Sequence, residues 1–590
     1  MDPLRPRART GLLRSGATIL AVLAALLSIP TISPAQCVLS TFTGASPGDA
    51  FGWSVAGLGD VDGDGAPEIA VGAPFADPGG ISDAGQATVI SGATGAMIRT
   101  LDGTVPGGYF GWTVADTGDV DGDLVPDLIV GAPFTAVGGS PIVGQAKVFS
   151  GSSGALLFTF SGAAANQSFG NSVAGPGDVT GDLTPDFLIG VSHAAPGGSF
   201  NKGQAKVFSG NDGTLVQTFE GTGAGDRFGS SVGAAGDVDG DGTPDLLVGA
   251  IQTDAVSGTV GPGYARVHSG ATGAPLLTVA GAALGDGFGW SVASPGDVNG
   301  DSVPDLLIGA RLGAPLGMSQ AGYARMFSGA GGGVLFTVNG LGPGDGLGGY
   351  VAGTGDLDGD GIPDFAVGAP ELASAPGPIP TGYVLVRSGS NGAPLLTLTG
   401  SDDTFGWQVA GVGDLNGDGV PELAVGAPLH FTNGAGEVKV FLVGGGTSPL
   451  GTGCAGSGGF VPVAGTTGGG ACAPSPSFAL TLSNALGGSL AILLVGGSSS
   501  SWVGFPLPAN LAALGMPSCS LLVSAEFTFL AVTSGVGPGA GAASVGIPIP
   551  ADPALVGGTA YVQWYVVDPG PVPFAFFPGA MSAGLQVQIG

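Results

Sequence analysis

The residues best placed to do chemistry sit in one short stretch, GDVDGDGAPE, residues 59–68. Counted from Asp60, carboxylates fall at positions 1, 3, 5 and 9: Asp60, Asp62, Asp64 and Glu68. Oxygens at odd positions of a tight turn can converge on one point, and the carbonyl of Ala66 at position 7 makes a fifth donor. Ca²⁺ takes about six to eight oxygens at flexible distances, whereas Mg²⁺ demands a stricter octahedron and softer metals want Cys or His. An EF-hand would need a bidentate Glu at position 12, and that place is Val71. The stretch therefore predicts a nine-position calcium loop set in a β-hairpin, followed by a strand and not by a helix.

Six further stretches follow the same template. The expected ligands are Asp119, Asp121, Asp123, Val125 (carbonyl) and Asp127 in the second, and Asp178, Thr180, Asp182, Thr184 (carbonyl) and Asp186 in the third. The fourth has Asp237, Asp239, Asp241, Thr243 (carbonyl) and Asp245, and the fifth has Asp297, Asn299, Asp301, Val303 (carbonyl) and Asp305. The sixth has Asp356, Asp358, Asp360, Ile362 (carbonyl) and Asp364, and the seventh has Asp414, Asn416, Asp418, Val420 (carbonyl) and Glu422. Thr180 removes a charge from position 3, so the third loop is expected to be the weakest. These loops hold more than half of the 44 acidic residues of the chain. Hydrophilic turns alone do not need three or four carboxylates at fixed offsets seven times over, and without a cation the charges would repel.

The loops must be positioned by a repeating element. A Phe-Gly pair (Leu347-Gly348 in the sixth unit) precedes each loop, and successive pairs lie 58 to 60 residues apart. Each unit carries four strand-like runs, such as GWTVADT, DLIVGA, QAKVFSG and LLFTFSG, separated by Gly- or Pro-bearing turns. Four short strands per unit without helical periodicity predict the blades of a β-propeller. The last unit lacks its fourth strand, and LSTFTG at residues 39–44 matches the missing piece. The expected fold is therefore all-β: a seven-bladed β-propeller over residues 37–446, closed by its N-terminal strand. An open solenoid would want polar capping repeats that the sequence does not offer.

Phe-Gly, then Asp-x-[Asp/Asn]-Gly-Asp-Gly-x-Pro-Asp, then Val-Gly-Ala-Pro resembles the FG-GAP repeat of the propeller in integrin α subunits. The resemblance runs from about Leu39 to Gly446 and implies Ca²⁺ in the hairpin between the first and second strands of a blade. Three departures stand out. Leu347 replaces Phe, Gly-Ala-Pro is altered in units three to five, and all seven units keep a calcium loop where integrins keep only some. The same repeats accompany a glycosyl-phosphatidylinositol phospholipase, whose His-rich zinc domain has no counterpart in this sequence.

Composition narrows the function further. The chain of 590 residues has 119 Gly, 45 Pro, only 10% charged residues and a net charge of −30. Such a chain repels nucleic acid and anionic membranes. Residues 1–35 read as a signal peptide: Arg5, Arg7, Arg9 and Arg14 precede an apolar run at 17–29, and Ser33-Pro34-Ala35 suits cleavage before Gln36. Gln36 disfavours lipidation at Cys37. No later segment is a transmembrane helix, so an exported protein is expected, secreted or held at the cell surface or in a periplasm. Cys37, Cys454, Cys472 and Cys519 then favour two disulfides, in any of three connectivities.

Residues 447–475 read as a Gly-rich linker bearing two cysteines, and 476–590 as a small C-terminal β-sandwich-like domain with SFALTLSNAL, LAILLVGG, CSLLVSAEF and AYVQWYVVD as strands. His193, His268 and His430 share no spacing, and no nucleophile elbow, zinc-protease motif or phosphate loop occurs. The expectation is a protein that is not an enzyme, with no nucleic-acid partner. It would be a calcium-binding adhesion module that meets an unidentified protein or glycan ligand on the face opposite the calcium loops. A purely structural envelope component is the alternative, and a secreted hydrolase a more distant one.

Overall fold

The structure is a computed structural model that describes residues 37–254, 258–370, 382–400, 404–417, 419–428 and 434–443, together with strands between 447 and 588. The signal-peptide expectation, Asp418, His430, Cys454, Cys472 and Cys519 lie outside the described residues. Among the described residues no helix is long and apolar enough to cross a membrane.

Seven four-stranded antiparallel sheets dominate the chain. The first is built from Ser54–Gly57, Ile69–Ala73, Gln86–Ile90 and Met97–Asp102, paired in that order, and the next five repeat the pattern. The seventh takes Gln408–Gly413, Glu422–Ala427 and Glu437–Leu442, and its fourth strand is Cys37–Thr43 from the other end of the described chain. That pairing runs from Cys37 opposite Leu442 to Thr43 opposite Glu437. The expected partnership of LSTFTG with the last unit is thus present.

Within each sheet, burial follows strand position. Every residue of the second strands is buried, as in Asp127–Ala132 and Leu423 to Ala427, while a fourth strand such as Leu156–Ser161 fully buries only one residue. The second strands are apolar on both faces because the cores lie between sheets. One cluster joins Val89 and Leu101 of the first sheet to Phe110 and Leu128 of the second. Another joins Phe51 and Val71 of the first unit to Val412 and Val440 of the seventh.

The Phe-Gly and Gly-Ala-Pro marks meet across these boundaries. A Cβ on Gly72, from the first Val-Gly-Ala-Pro, would lie 2.0 Å from the carbonyl oxygen of Gly111 in the second Phe-Gly. Backbone thus approaches backbone where no side chain fits. The same approach links each unit to the next, and Gly426 of the seventh would meet the Gly52 oxygen of the first at 2.2 Å. Serine hydroxyls reinforce the seam: Ser54 donates to the Gly111 carbonyl at 2.9 Å, and Ser231 to that of Gly289 at 2.8 Å.

Beyond residue 446 two larger antiparallel sheets form among the described residues, beside two two-stranded ones. One orders Thr447–Leu450, Gly584–Gln588, Thr559–Val567, Leu490–Gly496 and Phe527–Val532; the other orders Val463–Thr467, Ala479–Gly487 and Gly537–Gly546. The segment expected as a linker therefore supplies a strand to each sheet, because TSPL and VAGTT are short extended runs within a Gly-rich composition. CSLLVSAEF is not one strand: Ser520–Leu521 pairs with Ala509–Asn510, and a separate strand starts at Phe527.

The glycine seam makes a specific prediction. Gly72→Ala should destabilise by about 3 kcal/mol through overpacking against a backbone that cannot yield. Gly331→Ala, in a turn with open space around it, should stay within about 0.5 kcal/mol. Thermal melts of the two variants beside the parent check both values.

Candidate metal centre

Each acidic loop joins the first strand of a sheet to its second, and hydrogen bonds within the loop set its shape. In the second loop Asp119 at position 1 accepts the backbone N–H of Gly122 (2.7 Å) and Asp123 (3.1 Å) on Oδ1, and that of Leu124 (2.8 Å) on Oδ2. Asp123 at position 5 accepts from Val125 at 2.9 Å. Wrapping the chain around the position-1 carboxylate forces position 6 into the left-handed region. Gly65, Gly242, Gly361 and Gly419 occupy it in four loops, but Leu124 (φ 70°), Leu183 (φ 73°) and Ser302 (φ 68°) occupy it in the others. Leu124 and Leu183 are also 90% and 93% exposed, so these side chains gain nothing from packing there.

The position-9 acid is buried and spans two hairpins. Asp127 accepts the N–H of Val120 at 2.8 Å on Oδ2, and on Oδ1 it accepts that of Gly151, just after the third strand, at 2.8 Å. Asp186, Asp245, Asp305 and Asp364 make the corresponding bonds to Gly210, Gly270, Gly329 and Gly389 at 2.8 to 3.0 Å. The sequence suggested a ligand at position 9; its role as a clamp between hairpins was not visible, since the partner glycine lies about 24 residues on. Burial raises the pKa of these carboxyls: Asp127 and Asp364 to about 6, and Asp186, Asp245 and Asp305 in the same direction.

Glu68 differs by one methylene. Its Oε2 accepts the Val61 N–H, while Oε1 is buried with no hydrogen-bond partner among the described residues. Burial, followed by the negative charges of Asp62, Asp60 and Asp64, raises its pKa to about 7. An orphaned buried carboxylate oxygen facing three further carboxylates is the electrostatic signature that a divalent cation would resolve.

The loops differ in how far their acids converge. One oxygen each from Asp60, Asp62, Asp64 and Glu68 lies within 4.8 Å of the others. The same holds for Asp119, Asp121 and Asp127, for Asp237, Asp239 and Asp245, and for Asp356, Asp358 and Asp360. Asp123 is turned toward the Ser152 hydroxyl, which donates to its Oδ2. The loops with Thr180, Asn299 and Asn416 at position 3 bring no three described acids together in this way. In the fifth and seventh, the Asn299 and Asn416 amides instead donate to Asp305 (3.1 Å) and Glu422 (2.7 Å).

A neighbouring lock escaped the sequence reading. In units four to six a buried tyrosine opening the third strand donates to an aspartate just before the Phe-Gly or Leu-Gly pair: Tyr264 to Asp226 (3.0 Å), Tyr323 to Asp286 (2.8 Å) and Tyr383 to Asp345 (2.5 Å). Units one to three have Gln86, Gln145 and Gln204 there, bonded to the fourth strand at Asp102, Ser161 and Glu220. The switch from GQA in units one to three to GYA or GYV in units four to six was the available signal. The two described histidines are not brought together: His193 lies beside the Ser192 hydroxyl, and His268 packs on Phe219 at 4.2 Å.

Two outcomes test this geometry. Leu183→Gly should stabilise the protein by about 1 kcal/mol by relieving left-handed strain. Asp127→Ala should cost about 2 kcal/mol or more even in excess chelator, because it strands buried N–H groups, whereas Asp121→Ala should destabilise only when calcium is present. Melting curves with and without EGTA separate these effects.

Comparison with known proteins agrees with the repeat pattern. The FG-GAP repeat family matches residues 51–90, 228–267, 288–324, 348–385 and 405–441. Integrin alpha-5 of Xenopus laevis is 35% identical over 217 residues, covering 34% of this chain and 20% of its own length. Integrin alpha-PS2 of Drosophila melanogaster is 32% identical over 245 residues, 38% of this chain and 17% of its own. Integrin alpha-V of Gallus gallus is 32% identical over 219 residues, 35% and 20% respectively. The chain thus spans about a fifth of the length of these relatives. The second and third units fall outside the matched stretches but form the same four-stranded sheets. Repeated Phe-Gly and Gly-Ala-Pro marks, acidic hairpins and these similarities together make the chain an FG-GAP repeat protein that resembles integrin α subunits.

Proposed function

We propose that the protein is an exported, calcium-stabilised, seven-bladed β-propeller that acts as a non-catalytic binding or adhesion module. Ring closure is supported by the pairing of Cys37–Thr43 with Glu437–Leu442 and by the approach of Gly426 to Gly52. The two larger sheets beyond residue 446 fit an appended β-sandwich. The observation that carries the functional reading is the division of labour along the strands. At one end every described first-to-second-strand turn is the same acidic loop; at the other, the second-to-third-strand connections diverge. Three of these contain a short 3₁₀ turn, at Pro78–Gly80, Pro196–Gly198 and Pro315–Gly317, while the fourth unit folds a small hairpin from Thr253–Asp254 and Thr259–Val260. Variable loops on a rigid repeating scaffold are where recognition resides.

Calcium would be held by carboxylates at positions 1, 3, 5 and 9 and the position-7 carbonyl, with Asn or Thr at position 3 in loops three, five and seven. It would supply charge neutralisation and no reaction. At about 1 mM Ca²⁺, a site with a dissociation constant of about 0.1 mM adds roughly 1.4 kcal/mol by mass action, so seven independent sites add on the order of 10 kcal/mol.

Chelation is therefore expected to lower the melting temperature by well over ten degrees, and an unchanged melt would defeat the calcium assignment. The pH dependence has a definite sign. Glu68, Asp127 and Asp364 have folded-state pKa values of about 7, 6 and 6, above those of the unfolded chain. Without calcium the folded state holds protons that the unfolded state has released, so stability is greatest below the ordinary carboxylate range and declines as pH rises toward 7. Calcium should remove that decline. Melting curves from pH 4 to 8, with EGTA and with calcium, test it. Capture of cell-surface material by the mature protein, with and without EGTA, tests binding against a purely structural role.

A further inference from the structure

We infer that the centre of the ring of sheets is a binding site for a carboxylated sugar, with Arg311 as the group that receives the carboxylate. The inference deepens the binding-module reading and rests on it. A cavity of about 550 Å³, within the range of small-ligand sites, opens where first strands begin and second strands end, away from the acidic loops. One wall is aromatic. Trp53, Trp112 and Trp407 follow the Phe-Gly pairs of units one, two and seven, and Trp53 lies 4.7 Å from each of the other two rings. The facing wall is polar and cationic, drawn from units three to five.

Two arginines line it, and they are not equivalent. Arg227 is paired with the buried Asp254 at 3.2 Å. Arg311 lies over Trp290 at 4.3 Å and near Trp407 at 5.9 Å, so the ring faces fix its guanidinium. Its Nε is buried without a hydrogen-bond partner among the described residues, as is that of Arg227, but unlike Arg227 it lines the cavity with no carboxylate within ion-pair distance among those residues. In a chain of net charge −30 an arginine held without an anion is an unmet demand. Burial also lowers its pKa, a cost that a bound carboxylate would offset.

The walls specify what carries that carboxylate. An aspartate or glutamate side chain of a peptide would reach the guanidinium on a narrow stem and make little contact with the tryptophan rings that line the cavity. A pyranose acid presents a C–H face to the tryptophans, hydroxyls to the Ser, Thr and Asn groups around the mouth, and a planar carboxylate to the arginine fork. His193, beside Ser192 on the same wall, is held toward its neutral form by burial and by the Arg227 charge, so it adds hydrogen bonding without a second full charge.

The test uses the full mature chain with free calcium fixed by a buffer, since uronates themselves bind calcium. Trigalacturonate and neutral galactotriose are titrated while tryptophan fluorescence and heat are recorded. Trigalacturonate should saturate a fluorescence change with at least tenfold higher affinity than galactotriose. Arg311→Gln should weaken it at least tenfold with a melting temperature no lower than the parent's, and Arg311→Lys should retain part of the binding. Equal affinity for the two sugars, full binding by Arg311→Gln, or displacement at equal affinity by tetraglutamate would overturn the assignment. If Arg311→Gln does not fold, the comparison of the two sugars on the parent protein still decides. Cell-surface capture that persists in Arg311→Gln while trigalacturonate fails leaves the binding module standing without this site. Capture lost in the parent protein itself overturns the module reading.

Discussion

The architecture depends on how closely one sheet's backbone can approach the next. At Gly72 and its six counterparts the second strand of one unit lies against the Phe-Gly backbone of its neighbour, at a separation that excludes a methyl group. That single contact accounts for both marks of the repeat. The Gly of Gly-Ala-Pro gives up its side chain to let the neighbour in, and the Gly of Phe-Gly takes a left-handed conformation to present its carbonyl. The Phe beside it fills the space opened between sheets, as Phe169 and Phe228 do with complete burial. Leu347 does the same, so the departure from Phe in unit six preserves the packing.

The acidic loops are built on that seam. The proline at position 8 of one loop packs against the glycine before position 1 of its neighbour, as Pro126 does on Gly59 and Pro67 on Gly413. Neighbouring loops are therefore braced side by side. Their acids divide between two tasks. Position 1 and position 9 organise the backbone through hydrogen bonds that need no ion, whereas positions 3 and 5 lie exposed and make few. Glu68 marks the limit of this arrangement, because its extra methylene leaves one buried oxygen that no described donor reaches.

Much of this could be read from sequence. The 58-to-60-residue period, four strand-like runs per unit and the spare LSTFTG run pointed to the sheets and to the pairing of Cys37–Thr43 with the last unit. The acids at odd positions were visible because they are local in sequence. What could not be read was non-local. Gly151 gives no sign that its N–H serves Asp127, and nothing near Tyr264 points to Asp226, 38 residues earlier. The central cavity was likewise invisible, since its tryptophans and arginines come from separate units and look like ordinary strand residues until the units are assembled. Beyond residue 446 glycine-rich composition hid the strands at Thr447–Leu450 and Val463–Thr467.

These parts meet in one proposal: divalent cations hold the carboxylates crowded at one end of the sheets. Calcium bound to the purified mature protein at equilibrium dialysis against about 1 mM calcium, counted above the dialysate, tests that claim most directly. Elemental mass spectrometry should find close to seven calcium ions per chain, with Asp62→Ala removing about one. A protein that remains folded with no more than one calcium per chain, or that holds a softer metal instead, would contradict it.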